Sequence, residues 1–289
     1  MKNRKYQIKA QIISNVRIAN DYYRLTLNAP KIAQAAWPGQ FVMLRTTPGY
    51  EPFLRRPFSI HGLIYNSQLT AHNQKKKSQA RGIMILYRTV GKGTKILSKE
   101  KPGRYLDILG PLGNGFDYQL SITDNRLPVL VAGGIGVAPM VFLAQQLTSH
   151  KLAERIEEKP IVLIGAKTKK EILCKKEFAS LGLNVKISSD NGSAGFKGKV
   201  TQLLKIIVRT NRHAPRYIAI FACGPKSMLQ EIASISSQYS IPAQISLDEY
   251  MACGLGVCLG CMVNTRKGQK LVCRDGPVFD ASRIKWYNK

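Results

Sequence analysis

Over the first hundred or so residues, apolar and polar positions alternate in short runs broken by Gly and Pro, at 6–13, 23–27, 40–45 and 82–89. Successive strand residues face opposite sides, so this spacing predicts antiparallel strands that close into a small barrel. An interruption at 71–82 carries Lys75, Lys76 and Lys77 among polar residues and reads as a solvated hairpin tip, not a binding patch. From Leu127 the texture changes to apolar strands alternating with helical stretches: 128–132 then 137–147, 161–165 then 169–181, 185–188, and 217–223 then 226–239. That alternation predicts a parallel sheet with crossover helices. The tail from about Ala243 is short and rich in Gly and Cys, too small to fold without a staple. The expected organisation is multidomain α+β. An antiparallel barrel spans 1–119, a parallel-sheet α/β nucleotide-binding domain 120–243, and a small cysteine-bearing domain 244–289.

The 289 residues carry 44 Lys+Arg against 17 Asp+Glu, a formal net charge of +27. Such a charge raises the possibility of nucleic-acid binding, since basic surfaces release counterions from phosphate. No zinc-finger spacing, RNA-recognition aromatic motif or helix-turn-helix accompanies it, and the basic residues are scattered, so no nucleic-acid partner is expected. A generally basic surface, or an acidic protein partner, accounts for the excess. No apolar run approaches the roughly 20 residues of a membrane span, and none follows the basic N-terminus as a signal peptide would require. A cytoplasmic location is expected.

Four of the six cysteines crowd into the last 40 residues as Cys253-x4-Cys258-x2-Cys261-x11-Cys273. This matches the C-x4-C-x2-C spacing, with a distant fourth Cys, of plant-type [2Fe-2S] sites. The interleaved glycines permit positive φ and leave amides free to point at sulfur. Zinc is the alternative, though it is usually held by paired two-residue knuckles and only one such pair is present. Cys174 and Cys223 stand alone, and each reads as a small buried hydrophobe.

Two further constellations suit a dinucleotide. Arg55-Arg56-Pro57-Phe58-Ser59-Ile60 is placed at the end of a strand, and Leu86-Tyr87-Arg88 and Gly91-Lys92-Gly93-Thr94 follow it. An arginine fork can donate twice to a pyrophosphate, and Gly93-Thr94 opens a helical stretch whose amides could receive the same phosphates. Phe58 and Tyr87 could flank a flat ring or simply fill the strand core. Gly133-Gly134-Ile135-Gly136 turns an apolar strand into a helix, and Ala222-Cys223-Gly224-Pro225 repeats the design at what would be the same sheet edge. Open α/β sheets bind ligands there. The first turn alone could equally be a tight turn with no ligand. Cys223 could lie beside a nicotinamide or be an inert buried thiol.

In this order the motifs resemble the ferredoxin-reductase-like flavoproteins. Gly110–Phe116 as G-P-L-G-N-G-F, Asp248-Glu249-Tyr250-Met251-Ala252-Cys253-Gly254 and Val272-Cys273-Arg274-Asp275-Gly276-Pro277-Val278-Phe279 narrow the likeness. They are similar to the electron-transfer subunits of NAD-dependent (type B) dihydroorotate dehydrogenases. By that resemblance Arg56, Pro57, Phe58, Ser59, Leu86, Tyr87, Arg88, Gly93 and Thr94 would hold FAD. Gly133, Gly134, Gly136, Cys223, Gly224 and Pro225 would meet NAD, and Cys253, Cys258, Cys261 and Cys273 would ligate the [2Fe-2S] cluster.

The resemblance also implies an FMN-containing catalytic subunit that oxidises dihydroorotate in pyrimidine (UMP) biosynthesis, two of each chain forming a heterotetramer. Phe58 departs from the Tyr or Ile of many relatives, and the x11 gap is shorter than in some. That gap also occurs in the small subunit of NADH-dependent ferredoxin:NADP reductases, which usually lacks the first cysteine. A ferredoxin:NAD(P) or sulfide-type oxidoreductase subunit is therefore the nearer alternative, and a zinc-stapled basic nucleic-acid-binding module the more distant one. His61, His72, His150 and His213 are scattered, with no nucleophile–base pair, so no acid–base catalyst is expected. Lys167, Lys169 and Lys170 would favour NADP and Asp190 would favour NAD, which leaves the choice open.

Overall fold

The computed structural model describes residues 4–47, 49–65, 79–119, 124–149, 158–210 and 217–286. The lysine-rich stretch at 71–78 and three of the four histidines, His72, His150 and His213, lie outside them.

Six strands close the N-terminal barrel in the order β1-β2-β5-β4-β3-β6: β1 Tyr6–Ala19, β2 Tyr22–Asn28, β3 Phe41–Leu44, β4 Arg56–Tyr65, β5 Ala80–Arg88 and β6 Tyr105–Leu112. Every pairing is antiparallel. Inward positions fill the barrel: Ala10 and Ile12 from β1, Leu25 and Leu27 from β2, Ile83 and Ile85 from β5. Register shifts in β1 and β4 supply the bends that closure needs. Helix α1, Pro30–Ala35, starts on a proline, whose fixed φ suits a first turn, and adds Ile32 and Ala33 to the same core.

The Arg55–Ile60 motif begins a strand and does not end one: β4 opens at Arg56. Pro57 explains the placement, because a residue with no N–H is tolerated near the start of a strand.

The second body is a seven-stranded sheet in the order β10-β9-β8-β7-β11-β12-β15. Its strands are β7 Leu127–Gly133, β8 Ile161–Ala166, β9 Asn184–Ser189, β10 Phe196–Lys197, β11 Ile218–Cys223, β12 Ala243–Ser246 and β15 Val278–Asp280. All neighbours run parallel except β12 and β15. All seven residues of β7 are buried, as expected of a central strand covered on both faces.

Alternate β7 residues feed two cores. Val129 and Val131 face α5, Val200–Thr210, and α6, Lys226–Tyr239. Leu130 and Ala132 face α3, Val137–Leu147, and α4, Lys175–Ser180. The expected helix over 169–181 is instead a 3-10 turn at Lys169–Glu171 followed by α4, with the break at Cys174, whose φ is 58°. A left-handed residue cannot continue a right-handed helix.

The cysteine-bearing lobe is an excursion between β12 and β15. It holds the hairpin of β13, Met262–Thr265, and β14, Gly268–Leu271, then the single turn α7, Val272–Asp275. β12 spans the expected boundary at 243/244, and β15 returns the chain to the nucleotide sheet. Among the described residues no helix is long and apolar enough to cross a membrane.

Candidate functional site

The start of β4 and the end of β5 meet at one end of the barrel, since Ile60 pairs with Ile85 in antiparallel register. Helix α2, Lys92–Leu97, begins beside them. The Arg56 guanidinium donates to the Leu54 carbonyl at 2.7 Å. A Cβ placed on Gly93 would lie 3.4 Å from both Arg56 Nε and Thr46 Oγ1. Thr46 is fully buried, and among the described residues its hydroxyl has no hydrogen-bond partner. An orphaned hydroxyl, an arginine fork and a bare backbone around one point fit a phosphate, since a buried unpaired polar group is costly unless a ligand completes it. No sequence motif marks Thr46.

The other expected FAD residues divide by role. Thr94 Oγ1 accepts from the amides of Val90 at 2.9 Å and Gly91 at 3.1 Å, so its side chain holds the α2 turn together. Tyr87 is 2% exposed, stacks on Tyr23 and donates its hydroxyl to Asn15 at 3.1 Å. Leu86 is likewise buried. Both side chains are committed to packing. Phe58 is half-buried, edge-on to Tyr87, and Ser59 is half-buried opposite Phe41. Pro57 pairs with Met43, and Arg88 lies exposed over the Tyr22 ring.

The two glycine turns of the sheet lock against each other. A Cβ on Gly136 would come within 2.3 Å of the Cys223 carbonyl oxygen, and one on Gly133 within 2.8 Å of Pro225. Gly224 in turn abuts the Gly133 backbone. Gly134 differs: its φ is +53° and, among the described residues, a Cβ there would meet nothing within 4 Å. Ala132, Cys223 and Ser246 lie side by side across three strands at their C-terminal ends. Burial pushes the Cys223 thiol up to about 12, partly offset by a hydrogen bond with Ser246, so it is an uncharged wall of that edge.

The four tail cysteines come together in one lobe. The amides of Leu255, Val257 and Cys258 donate to Cys253 Sγ at 3.4, 3.4 and 3.5 Å. Positive φ at Gly254 and Gly256 lets the loop wrap so that those amides point inward, and Leu259 beyond them is left-handed as well. Burial pushes the Cys253 thiol up, but the three amides and the Cys258 thiol outweigh it and hold it down to about 6. That is the chemistry of a ligand thiolate. Cys261 and Cys273 are hydrogen-bond neighbours, and the Cys273 amide donates to Cys261 Sγ at 3.4 Å. These two are buried, while Cys258 is exposed.

The loop is seated on the barrel. A Cβ on Gly254 would lie 2.5 Å from Met43 Cγ, and Met43 pairs with Pro57. The cysteine loop is therefore separated by a single strand, β3, from the strand that carries Arg56–Ser59. Asn114 clamps the arrangement: its side chain donates to the Arg274 and Asp275 carbonyls at 3.1 Å, and its amide donates to Gly276.

The family model described as the iron-sulfur cluster binding domain of dihydroorotate dehydrogenase B matches residues 248–285, and the oxidoreductase NAD-binding domain matches 130–234. The dihydroorotate dehydrogenase B (NAD(+)) electron transfer subunit of Desulforamulus reducens is 38% identical over 96% of this chain and 97% of its own. The subunit of the same description from Geobacillus kaustophilus is 35% identical over 94% and 96%. Among solved structures, an NADH-dependent reduced ferredoxin-NADP oxidoreductase is 27% identical, with a TM-score of 0.76 over 96% of this chain and 90% of that one. A Neisseria gonorrhoeae ferredoxin NADP+ reductase with bound FAD and NADP has a TM-score of 0.65 at 16% identity, over 81% and 91%, and shares the fold.

Proposed function

The chain belongs to the family of dihydroorotate dehydrogenase B (NAD(+)) electron transfer subunits, and from that premise we propose that it is an oxidoreductase subunit. It links dihydroorotate oxidation, on an FMN-containing partner, to NAD in pyrimidine biosynthesis. The observation that carries the reading is the cysteine loop seated on Met43, one strand from the Arg56–Ser59 segment. When bound, FAD supplies the exchange between a two-electron hydride and single electrons, and a [2Fe-2S] cluster carries the single electrons.

The chain's own residues bind and orient. Arg56, Thr46 and the α2 amides near Gly93 receive the FAD pyrophosphate, while Thr94 fixes that turn. Phe58 and Ser59 border the flavin. Gly134 and the paired turns at Gly136 and Cys223-Gly224-Pro225 receive NAD at the sheet edge. Cys253, Cys258, Cys261 and Cys273 ligate iron, with the Cys253 amide shell stabilising a thiolate.

Around that loop Tyr250 is 94% exposed and Val257 78%, with Leu255, Leu259 and Met262 also exposed. Apolar side chains so placed support a partner docking on the cluster side; a cytoplasmic heterotetramer of two of each chain is the assembly that the resemblance implies. Full-length identity above that to the ferredoxin-linked enzyme favours the dihydroorotate assignment over that alternative.

The test is an anaerobic absorption spectrum before and after NADH, with cofactor counts. FAD with about two irons and two acid-labile sulfides per chain, all bleached by NADH, is expected. Colourless zinc-bearing protein would remove the reading. Co-purification of a dihydroorotate-oxidising flavoprotein is the corresponding test of the partner.

A further inference from the structure

Where the barrel meets the nucleotide domain, β4 lies against α3, and a second donor cluster sits there, separate from the tail cysteines. His61 on β4 is 2% exposed. Its Nδ1 lies 2.9 Å from the carbonyl oxygen of Ala138. With the N–H on that nitrogen, Nε2 keeps its lone pair. Cys174 is buried at the head of α4, and Glu177 follows one turn on with its side chain 34% exposed. A ring nitrogen of His61, Cys174 Sγ and a Glu177 carboxylate oxygen all lie within 4.8 Å of one another. Arg24 of β2 reaches Glu177 at 3.5 Å.

We propose that His61, Cys174 and Glu177 form a binding site for a borderline-soft divalent cation of the zinc class, bridging the barrel and the nucleotide domain. The donor set of one nitrogen, one sulfur and one oxygen is that of zinc, with a water completing four-coordination. The Ala138 carbonyl supplies the outer-shell acceptor that fixes a ligating imidazole's tautomer and orientation. Desolvation holds His61 below its ordinary range, so the ring is neutral, as a ligand must be. Cys174 keeps a left-handed backbone, uncommon outside glycine, and this places the residue at the junction. Zinc–donor bonds of about 2.0–2.3 Å require the three atoms to close by up to about 1 Å. Glu177, the most exposed of them, would supply most of this by leaving Arg24. Coordination releases the Cys174 thiol proton to solvent, and two anionic ligands then balance the dication.

The experiment uses holo-protein already loaded with iron and flavin, equilibrated with Zn2+ and desalted, with zinc, iron and flavin counted together. Expected is about one zinc per chain, falling about tenfold or more in Cys174→Ser and several-fold in Glu177→Gln, with iron and flavin unchanged. Zinc should raise the wild-type melting temperature and leave Cys174→Ser unmoved. Equal zinc in wild type and both variants, whether none or one, overturns the site. Zinc misplaced in the cysteine loop would persist in Cys174→Ser, so the result is independent of the cluster assignment. Should Cys174→Ser not retain flavin and iron, zinc X-ray absorption of the wild type decides: one sulfur among nitrogen and oxygen supports the site, and an all-sulfur shell overturns it.

Discussion

Arg56 and Thr46 converge on Gly93 in the first turn of α2, and among the described residues neither has a side-chain acceptor there. Charge-assisted hydrogen bonds of this kind contribute about 1.5–3 kcal/mol, so Arg56→Ala should weaken FAD retention about 10- to 100-fold, read by fluorescence as flavin is diluted out. Tyr118 reports on a different property. It is 3% exposed, stacks on Trp37 at 4.8 Å, and burial pushes its phenol up to about 12. The folded state then holds its proton where the unfolded chain has lost it, so this stability is complete below about pH 10 and is lost towards about pH 12. Tyr118→Phe keeps the ring and should flatten the fall of melting temperature over that range. The four cysteines are legible in the sequence because their spacing is local. Thr46 and Asn114 are not, since their roles depend on partners such as Gly93 and Arg274 that only the fold brings near.

At the scale of elements, the contact between the cysteine loop and β3 is the bridge between the two proposed cofactor sites. Gly254 has φ +71° and no room for a Cβ against Met43. Gly254→Ala should lift the loop from the barrel, leaving flavin content intact while slowing cluster reduction by NADH; stopped-flow absorbance separates the two, and an unchanged rate would count against this contact as the bridge. The barrel strands and β7 with α3 are readable from alternation and from a continuous apolar run. The broken helix at 169–181 is not, because its apolar residues continue past Cys174 and the break is a backbone turn. Helix α5 has no counterpart in the sequence-based expectations, although Val200, Leu203, Leu204, Ile207 and Val208 make a helical stripe. Its short neighbour β10 gives little signal of a boundary.

Across the whole molecule, the charge of +27 is a long-range field as well as a local property. If the dihydroorotate-oxidising partner is acidic where it meets the cluster lobe, raising salt from about 50 to about 500 mM should slow association at least about tenfold, measured by surface plasmon resonance. A salt-independent on-rate would assign docking to the apolar residues around Tyr250 alone. The lobe's connectivity has a separate consequence. It leaves the sheet after β12 and comes back as β15, which covers the outer edge of β12. Redox lobe and nucleotide sheet are thus stitched by two threads, a double tether that restricts the swing open to a carrier held by one. A chain cut short after Leu247 would bare a hydrogen-bonding border along β12 and self-associate.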